Sequence, residues 1–155
     1  MRTGVKVYDA MTRSPVTVGP GTSIKDCAKI MAKNKVGSLI IKENGNLLGI
    51  IKERDIVRSI VLENKKPAKE LVKDYMIKNV VTISPEEDIY DALIVMRDED
   101  VRMLPVLSGK RLVGLLTAKD ILKIQPSLFD LLAERIILKE EASKPIFSSR
   151  DGYGA

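Results

Sequence analysis

Two short stretches of the chain place an aspartate at the same distance from a glycine. "GLLTAKDIL" runs from Gly114 to Leu122, and "GIIKERDIV" runs from Gly49 to Val57. In each stretch, two apolar residues after the glycine predict the end of a strand, and the aspartate falls in the first turn of a following helix. Because an ionised carboxylate only accepts hydrogen bonds, Asp120 and Asp55 suit the two neighbouring hydroxyls of a ribose.

The residues around Asp120 add groups that suit a phosphate. A helix N-terminus presents free backbone N–H groups and the positive end of the helix dipole. Thr117 adds a hydroxyl there, whereas the first stretch has Lys52 at the matching position. The sequence "TAKD" also fits a capping box, in which Thr117 is the N-cap and Asp120 returns a hydrogen bond to it. A ribose-binding role and a purely structural role for the aspartate both remain open.

The composition argues against an enzyme. The chain has no histidine and one cysteine, so the commonest general base and a zinc cluster are both excluded. It also lacks a glycine-rich P-loop, a nucleophile elbow and a recognisable pair of catalytic carboxylates. We therefore expect no catalytic residue, no metal and no cofactor. Cys27 takes the same place as Ala92 in the repeat described below, which predicts a small buried core residue.

Length and charge indicate the class of protein and of partner. The 155 residues are 45% apolar and 30% charged, without an apolar run of membrane-spanning length or an N-terminal signal segment. Together with the single cysteine, this predicts a cytoplasmic protein that does not associate with a membrane. The net charge of +5 favours anionic partners such as nucleotides or nucleic acid. Nucleic acid is the weaker candidate, because the basic residues are scattered and lack interleaved aromatics.

The chain is an internal repeat. The two glycines lie 65 positions apart (114 − 49), and sliding the chain by that offset aligns residues 9–57 with 74–122 without a gap. Each copy predicts a strand, a helix, two strands joined by a tight turn, and a closing helix. The first strands are predicted over 16–18 and 81–83, and the turns at Asn44–Gly45 and Ser108–Gly109. The closing helices are predicted over 53–62 and 118–123. Ser84 is predicted as the N-cap of the second copy's first helix. A β-α-β-β-α unit written twice predicts an α+β fold in which each copy buries the apolar face of the other.

These residues resemble the CBS domain, the module named for cystathionine β-synthase. The resemblance covers about Val5 to Lys123, and its most specific part is the doubled closing motif, a glycine followed by two apolar residues, Thr or Ser, two further residues and Asp. It implies two CBS repeats, 5–64 and 70–124, that form one pseudo-twofold (Bateman) module. A C-terminal helix over 126–142 and an extended tail over 143–155 are expected to follow. That helix either packs back on the module or contacts a partner.

The resemblance also implies two ligand clefts between the repeats, each drawing on both. The first cleft is expected to bind an adenine nucleotide through Thr12, Val16, Val36, Gly37, Arg102, Leu115, Thr117, Lys119 and Asp120. The second is expected to use Lys52, Arg54, Asp55, Ile77, Val81 and Val101. We expect the second cleft to bind more weakly, because Lys52 departs from the family pattern.

The function predicted is that of a non-catalytic regulatory module. It would bind AMP, ADP or ATP as a ligand and act as an energy or metabolite sensor, and the sequence leaves S-adenosylmethionine and NAD open as alternative ligands. The resemblance implies a homodimer that acts on a regulated protein, which the sequence does not specify. Two alternatives stay open: a scaffold for dimerisation or partner binding with degenerate pockets, and a nucleic-acid-associated regulator.

Overall fold

The computed structural model of the protein describes residues 2–131 and 133. Its first repeat contains α1 (Val7–Ala10), β1 (Thr17–Val18), α2 (Ile24–Asn34), β2 (Ser38–Glu43), β3 (Asn46–Lys52) and α3 (Glu53–Ile56), which continues as a π-helical turn (Val57–Val61). The second contains a 3-10 turn (Val72–Asp74), α4 (Ile89–Asp98), β4 (Met103–Ser108), β5 (Arg111–Thr117), α5 (Ala118–Ile124) and a 3-10 turn (Pro126–Leu128). The predicted α+β class is confirmed.

The strands form one five-stranded sheet in the order β1-β2-β3-β5-β4. β1 runs parallel to β2, and each repeat supplies one antiparallel hairpin, β2–β3 or β4–β5. The two hairpins pair with each other at Asn46 and Arg111, the residues that follow their turns. Away from this point β3 and β5 are separated by the segments that pair with Ile50 and Leu115.

The predicted hairpin turn is confirmed in the first repeat, whereas the turn of the second repeat lies at a different position from the one predicted. Asn44 and Gly45 both have positive φ, 52° and 82°, as a two-residue hairpin turn requires. In the second repeat Ser108 still pairs with Arg111 as the last residue of β4. The turn therefore consists of Gly109 and Lys110, one residue later than the predicted Ser108–Gly109.

The start of the second repeat also differs from prediction. The predicted strand 81–83 is reduced to a single parallel bridge between Ile83 and Val106. The N-cap of α4 is Asp88 rather than Ser84, and its carboxylate accepts hydrogen bonds from the Tyr90 amide (2.8 Å) and from the amides of Thr3 and Gly4. Partial burial alone would raise the pKa of Asp88, but these hydrogen bonds outweigh it, so the pKa lies below its usual value.

Each repeat contributes its opening segment to the core of the other. Val7 and Met11, from the start of the first repeat, belong to the apolar cluster built by α4, β4, β5 and α5. Val72 belongs to the cluster built by α2, β2 and β3, and Met76 packs against it. The repeats therefore depend on each other for burial, as the repeat pattern predicted.

The two opening segments cross the sheet over the glycines of the closing motifs. Thr12 pairs with Leu115 through two N–H···O bonds of 2.9 Å, and Ile77 pairs with Ile50 through bonds of 2.8 and 3.0 Å. A Cβ on Gly114 would lie 2.8 Å from the carbonyl oxygen of Thr12, and a Cβ on Gly49 would lie 2.7 Å from that of Ile77. Both glycines are therefore required by close backbone approach.

The described part of the chain after α5 packs against the second repeat. Leu128 is buried in its apolar cluster, and Leu131 packs against that cluster. The predicted helix 126–142 begins here as a 3-10 turn that continues helically from Phe129 to Leu131. The rest of that helix, apart from residue 133, and the predicted tail 143–155 lie outside the described residues.

Replacing the crossing glycine tests this arrangement. Gly114→Ala is expected to lower the free energy of unfolding by about 1–3 kcal/mol, because the new methyl group collides with a backbone carbonyl that cannot move without breaking the Thr12–Leu115 pairing. The matched control is Gly21→Ala, where a Cβ would meet nothing within 4 Å. Chemical denaturation measures both. Equal stability of the two variants would contradict the close crossing.

Candidate functional site

The two predicted aspartates cap the helices that close the repeats. Asp120 Oδ2 accepts a hydrogen bond from the Thr117 amide (2.9 Å), and Thr117 Oγ accepts one from the Asp120 amide (3.2 Å). Asp55 Oδ2 accepts the corresponding bond from the Lys52 amide (2.8 Å). An ammonium group cannot accept a hydrogen bond, so the first repeat has only half of the capping box. The structural role that the sequence left open for these aspartates is therefore real.

Capping uses only part of the hydrogen-bonding capacity of each aspartate. The Oδ1 atoms of Asp55 and Asp120 accept no hydrogen bond from any residue in the described part of the chain. Both side chains are half-buried, so a ligand can still reach them. Thr117 uses its oxygen as an acceptor, which leaves its hydroxyl hydrogen available to donate. Each closing turn thus offers a fixed carboxylate oxygen, and the second also offers a hydroxyl donor.

A cavity of about 150 Å³ opens beside the Lys52 turn and draws its walls from both repeats. Its lining comes from β3, from the crossing segment of the second repeat and from the start of β4, through Ile50, Lys52, Ile77, Asn79, Val80, Val81, Val101, Arg102 and Met103. Apolar side chains flank the space and two cations line it. Such a mixture suits a flat heteroaromatic base with an anionic substituent.

Four of the six residues predicted for the second cleft line this cavity: Lys52, Ile77, Val81 and Val101. Asp55 caps the adjoining helix from the first turn, and Arg54 beside it is exposed. The lining also includes four residues that were not predicted from the sequence: Ile50, Asn79, Val80 and Met103. The repeat offset could have found Ile50, because it is the counterpart of Leu115, which was named.

The residues predicted for the first cleft occupy the equivalent positions in the other half of the module. Thr12 contacts Leu115 directly, and Thr117 contacts Asp120. Val16, Val36 and Gly37 are the counterparts of Val81, Val101 and Arg102, which line the cavity. Lys119 is exposed on the first turn of α5.

Arg102 lies next to the closing turns of both repeats. It was predicted for the Asp120 cleft, but it lines the cavity beside Lys52. Its backbone carbonyl oxygen accepts a hydrogen bond from the Ala118 amide (2.9 Å), next to Thr117. The residue therefore borders the cavity beside Lys52 and is hydrogen-bonded through its backbone to the turn of Asp120. Its role in the Asp120 cleft stays a prediction.

A second, more open groove of about 420 Å³ lies at the outer edge of the sheet. It is lined by residues 82–86 and 107–109 and includes neither closing turn nor any cation. The chemistry described above is absent from it, so the smaller cavity is the stronger candidate for a ligand site.

Comparison with known proteins identifies the family. The CBS domain family matches the chain twice, over residues 7–62 and 72–127. The chain belongs to the CBS domain family. It is a tandem CBS pair, and such pairs are regulatory modules.

Three relatives show the range of proteins that carry this CBS pair. An uncharacterized protein of Methanopyrus kandleri is 30% identical over 85% of this chain and 68% of its own. The L-aspartate semialdehyde sulfurtransferase of Methanocaldococcus jannaschii is 32% identical over 76% of this chain, which spans only 23% of that enzyme. A crystal structure of a CBS domain pair in complex with 5′-methylthioadenosine and S-adenosyl-L-methionine superposes with a TM-score of 0.68 at 30% identity, over 79% of this chain and 97% of its own.

The remaining chemistry-bearing residues of the CBS pair do not form a further site. Cys27 is fully buried in the first-repeat cluster, as predicted, and burial together with the nearby Asp26 carboxylate raises its pKa to about 11. Within residues 2–131 and 133, no group of acidic, Cys or His side chains is arranged to hold a metal ion, and every helix is too short or too polar to span a bilayer.

The thiol of Cys27 is expected to be inert in the folded protein. Because its pKa of about 11 lies above the ordinary value of 9.0, about one thiol in a thousand is ionised at pH 8, and the side chain is out of reach of solvent. A chromogenic disulfide reagent should react only after denaturant is added. By linkage, this thiol leaves stability unchanged below pH 9 and lowers it as the pH rises toward 11. Rapid labelling of native protein at pH 8 would show that Cys27 is accessible.

Proposed function

We propose that this CBS pair is a non-catalytic regulatory module that binds adenine nucleotides in the clefts between its repeats. The observation that carries the proposal is the cavity beside the Lys52 turn, because its walls come from both repeats and combine apolar side chains with two cations. A ligand bound there contacts both repeats at once. Its binding free energy therefore depends on how the repeats are placed, which is what a sensor of energy state or metabolite level requires.

The recognition chemistry follows from the closing turns. The free Oδ1 atom of Asp55 or Asp120 accepts hydrogen bonds from ribose hydroxyls, while the capping bond to Oδ2 fixes the orientation of the carboxylate. Apolar residues of the crossing segments and strands, such as Ile50 and Val81 in one cleft, flank the base. The solved CBS pair with two adenosine-derived ligands supports adenosine as the shared element.

The proposal includes no catalytic step. The chain has no histidine to act as a general base, and Cys27 has a raised pKa that keeps it protonated. We propose a cytoplasmic location, in line with the single buried thiol, and a regulated partner protein whose identity the chain does not reveal. The enzyme names of some relatives belong to chains several times longer than this CBS pair, so their activities are not carried over to it.

A second function is favoured by one surface. The π-helical turn after α3 exposes Val57, Val61 and Leu62, with 52% to 75% of each residue accessible, and Ile124 and Phe129 are exposed after β5. Apolar residues grouped on the closing helices are typical of a surface that a partner covers. We propose that two copies of the module pair through these helices, which would also let a pair without functional pockets serve as a dimerisation scaffold. The scattered basic residues give less support to a nucleic-acid regulator.

Nucleotide binding without turnover is the first expected outcome. AMP, ADP or ATP should raise the melting temperature, because a ligand that binds only the folded state stabilises it, by about 2.7 kcal/mol at a hundredfold excess over Kd. Purified protein incubated with ATP should release no phosphate above background. The absence of any shift at millimolar nucleotide would favour the scaffold, and ATP turnover that co-purifies with the protein would contradict a non-catalytic module.

A matched pair of variants separates the two roles of Asp120 when binding is followed with 5′-methylthioadenosine, an adenosine ligand without phosphate. Asp120→Asn retains an oxygen that accepts the Thr117 amide, so stability should change by less than about 1 kcal/mol. The second position then carries an NH₂ donor instead of an acceptor, so binding in that cleft should still be lost. Asp120→Ala should lose both the capping bond to the Thr117 amide and ligand binding in that cleft. If Asp120→Asn binds like the original protein, the carboxylate has only a capping role.

The second expected outcome is a homodimer. Light scattering at tens of micromolar should give twice the mass of the chain, and Val61→Asp should give a monomer of unchanged fold, because substitution of an exposed residue alters stability by only about 0.5 kcal/mol. Lys110→Glu, in the β4–β5 turn, is the control for a change of charge elsewhere. A monomer for the original chain would exclude this interface.

A further inference from the structure

The two clefts of the CBS pair are equivalent by the repeat but differ in charge. The cavity beside Asp55 is lined by the cations Lys52 and Arg102. At the equivalent positions of the Asp120 cleft, 65 residues away, stand Thr117 and Gly37. Both cationic positions of one cleft are thus neutral in the other.

The other positions of the Asp120 cleft extend the contrast. The nine positions equivalent to the cavity lining are all described, and hold Leu115, Thr117, Thr12, Ser14, Pro15, Val16, Val36, Gly37 and Ser38, none of which is charged. Four of these residues carry hydroxyls. A carboxylate also stands close by, because Glu53 Oε2 lies 3.4 Å from where a Cβ on Gly37 would be. The counterpart of Glu53 in the other cleft is Ala118, which has no charge.

Charged residues outside the lining do not cancel this difference. Arg13 and Lys119 near the Asp120 cleft are matched by Lys78 and Arg54 near the Asp55 cleft, so their contributions are equal in sign. Lys35 near the Asp120 cleft is a cation, whereas its counterpart Asp100 near the Asp55 cleft is an anion. This difference in charge is opposite to that of the cavity lining. Both residues are exposed at the ends of helices and do not belong to the cavity lining or to its equivalent positions, so they act on a bound ligand less directly than residues of the cavity wall.

The physical consequence concerns the group attached to the 5′ carbon of the ligand. Lys and Arg side chains in a partly enclosed, largely apolar cavity attract phosphate oxygens more strongly than the same groups in open solvent. A carboxylate beside a cleft without cations repels phosphate. Hydroxyl groups can hydrogen-bond to neutral and to charged groups, but they add no positive charge that would favour phosphate.

We propose that the two clefts select ligands of different charge. The Asp55 cleft takes an adenosine ligand that carries phosphate, and the Asp120 cleft takes one whose 5′ substituent is neutral or cationic. This assignment rests on the proposed function for the shared adenosine element. For phosphate-bearing ligands it predicts tighter binding in the Asp55 cleft. The hydroxyl of Thr117 alone had predicted tighter binding in the Asp120 cleft. The module would then respond to two classes of adenosine metabolite at once.

Calorimetric titration of the intact chain with ATP and with 5′-methylthioadenosine tests the proposal, because the two ligands share adenosine and differ at the 5′ carbon. Asp55→Ala should remove ATP binding and leave the neutral ligand bound, whereas Asp120→Ala should do the reverse. The double substitution Lys52→Thr with Arg102→Gly places in the Asp55 cleft the residue types that stand at the two equivalent positions of the Asp120 cleft. It should weaken ATP binding by at least about tenfold, with the neutral ligand unchanged.

Two further variants complete the experiment. Lys33→Met removes an exposed cation from α2 and should leave ATP binding within about twofold at fixed salt. Glu53→Ala, which introduces the residue of the second repeat at this position, should allow ATP to bind also in the Asp120 cleft. This readout does not depend on the folding of the double variant.

The possible failures are distinct. If neither ligand binds the original chain at millimolar concentration, the proposed function itself is wrong. If both bind but the two aspartate variants lose ATP and 5′-methylthioadenosine equally, or if Asp120→Ala alone removes ATP, adenosine binding stands and the division by charge is overturned. An unchanged ATP affinity in the Lys52→Thr, Arg102→Gly variant would also overturn it.

Discussion

The close passage of each opening segment over a glycine of the other repeat is the constraint on which the rest of the structure depends. Gly114 and Gly49 leave no room for a side chain beneath the crossing backbone. The crossing segments pair with the inner edges of β5 and β3, so the two hairpins meet only near their turns and stay apart elsewhere in the described sheet. That separation leaves room for the cavity beside Lys52, whose lining comes from both repeats. Each opening segment also packs into the apolar cluster of the other repeat. Burial, sheet geometry and cleft formation therefore all depend on the same kind of contact, which occurs once for each repeat.

The closing aspartates link this fold to its proposed chemistry. One oxygen of each carboxylate caps a helix, and this bond fixes the orientation of the carboxylate, whose other oxygen is the proposed ribose acceptor. A residue that is needed for a helix cap and also faces a cleft positions a ligand without added flexibility, which lowers the entropic cost of binding. The two interpretations of Asp120 that the sequence left open, a cap and a ribose acceptor, are therefore compatible, because they use different atoms.

Much of the fold was predictable because its signals are local or repeated. The offset of 65 predicted the paired units, and Asn44–Gly45 predicted a turn that positive φ at both residues confirms. The failures lie where distant contacts decide. Asp88 replaces Ser84 as N-cap because amides of Thr3 and Gly4, more than eighty residues away in sequence, stabilise its carboxylate. Arg102 was predicted for one cleft and is found in the lining of the cavity at the other, since a sequence does not show on which side of a crossing backbone a residue lies. Applying the offset to Gly37 would have indicated this placement.

The central claim is that a ligand lies between the repeats and contacts both. The most direct measurement is an amide NMR titration with adenine nucleotide, followed at the four crossing amides, those of Thr12, Leu115, Ile50 and Ile77, and at the capping amides of Lys52 and Thr117. The structure predicts that saturable shifts include residues of both repeats, because each cleft wall combines a strand of one repeat with the crossing segment of the other. Shifts confined to one repeat, or to the exposed faces of α2 and α4, would contradict binding in the clefts between the repeats.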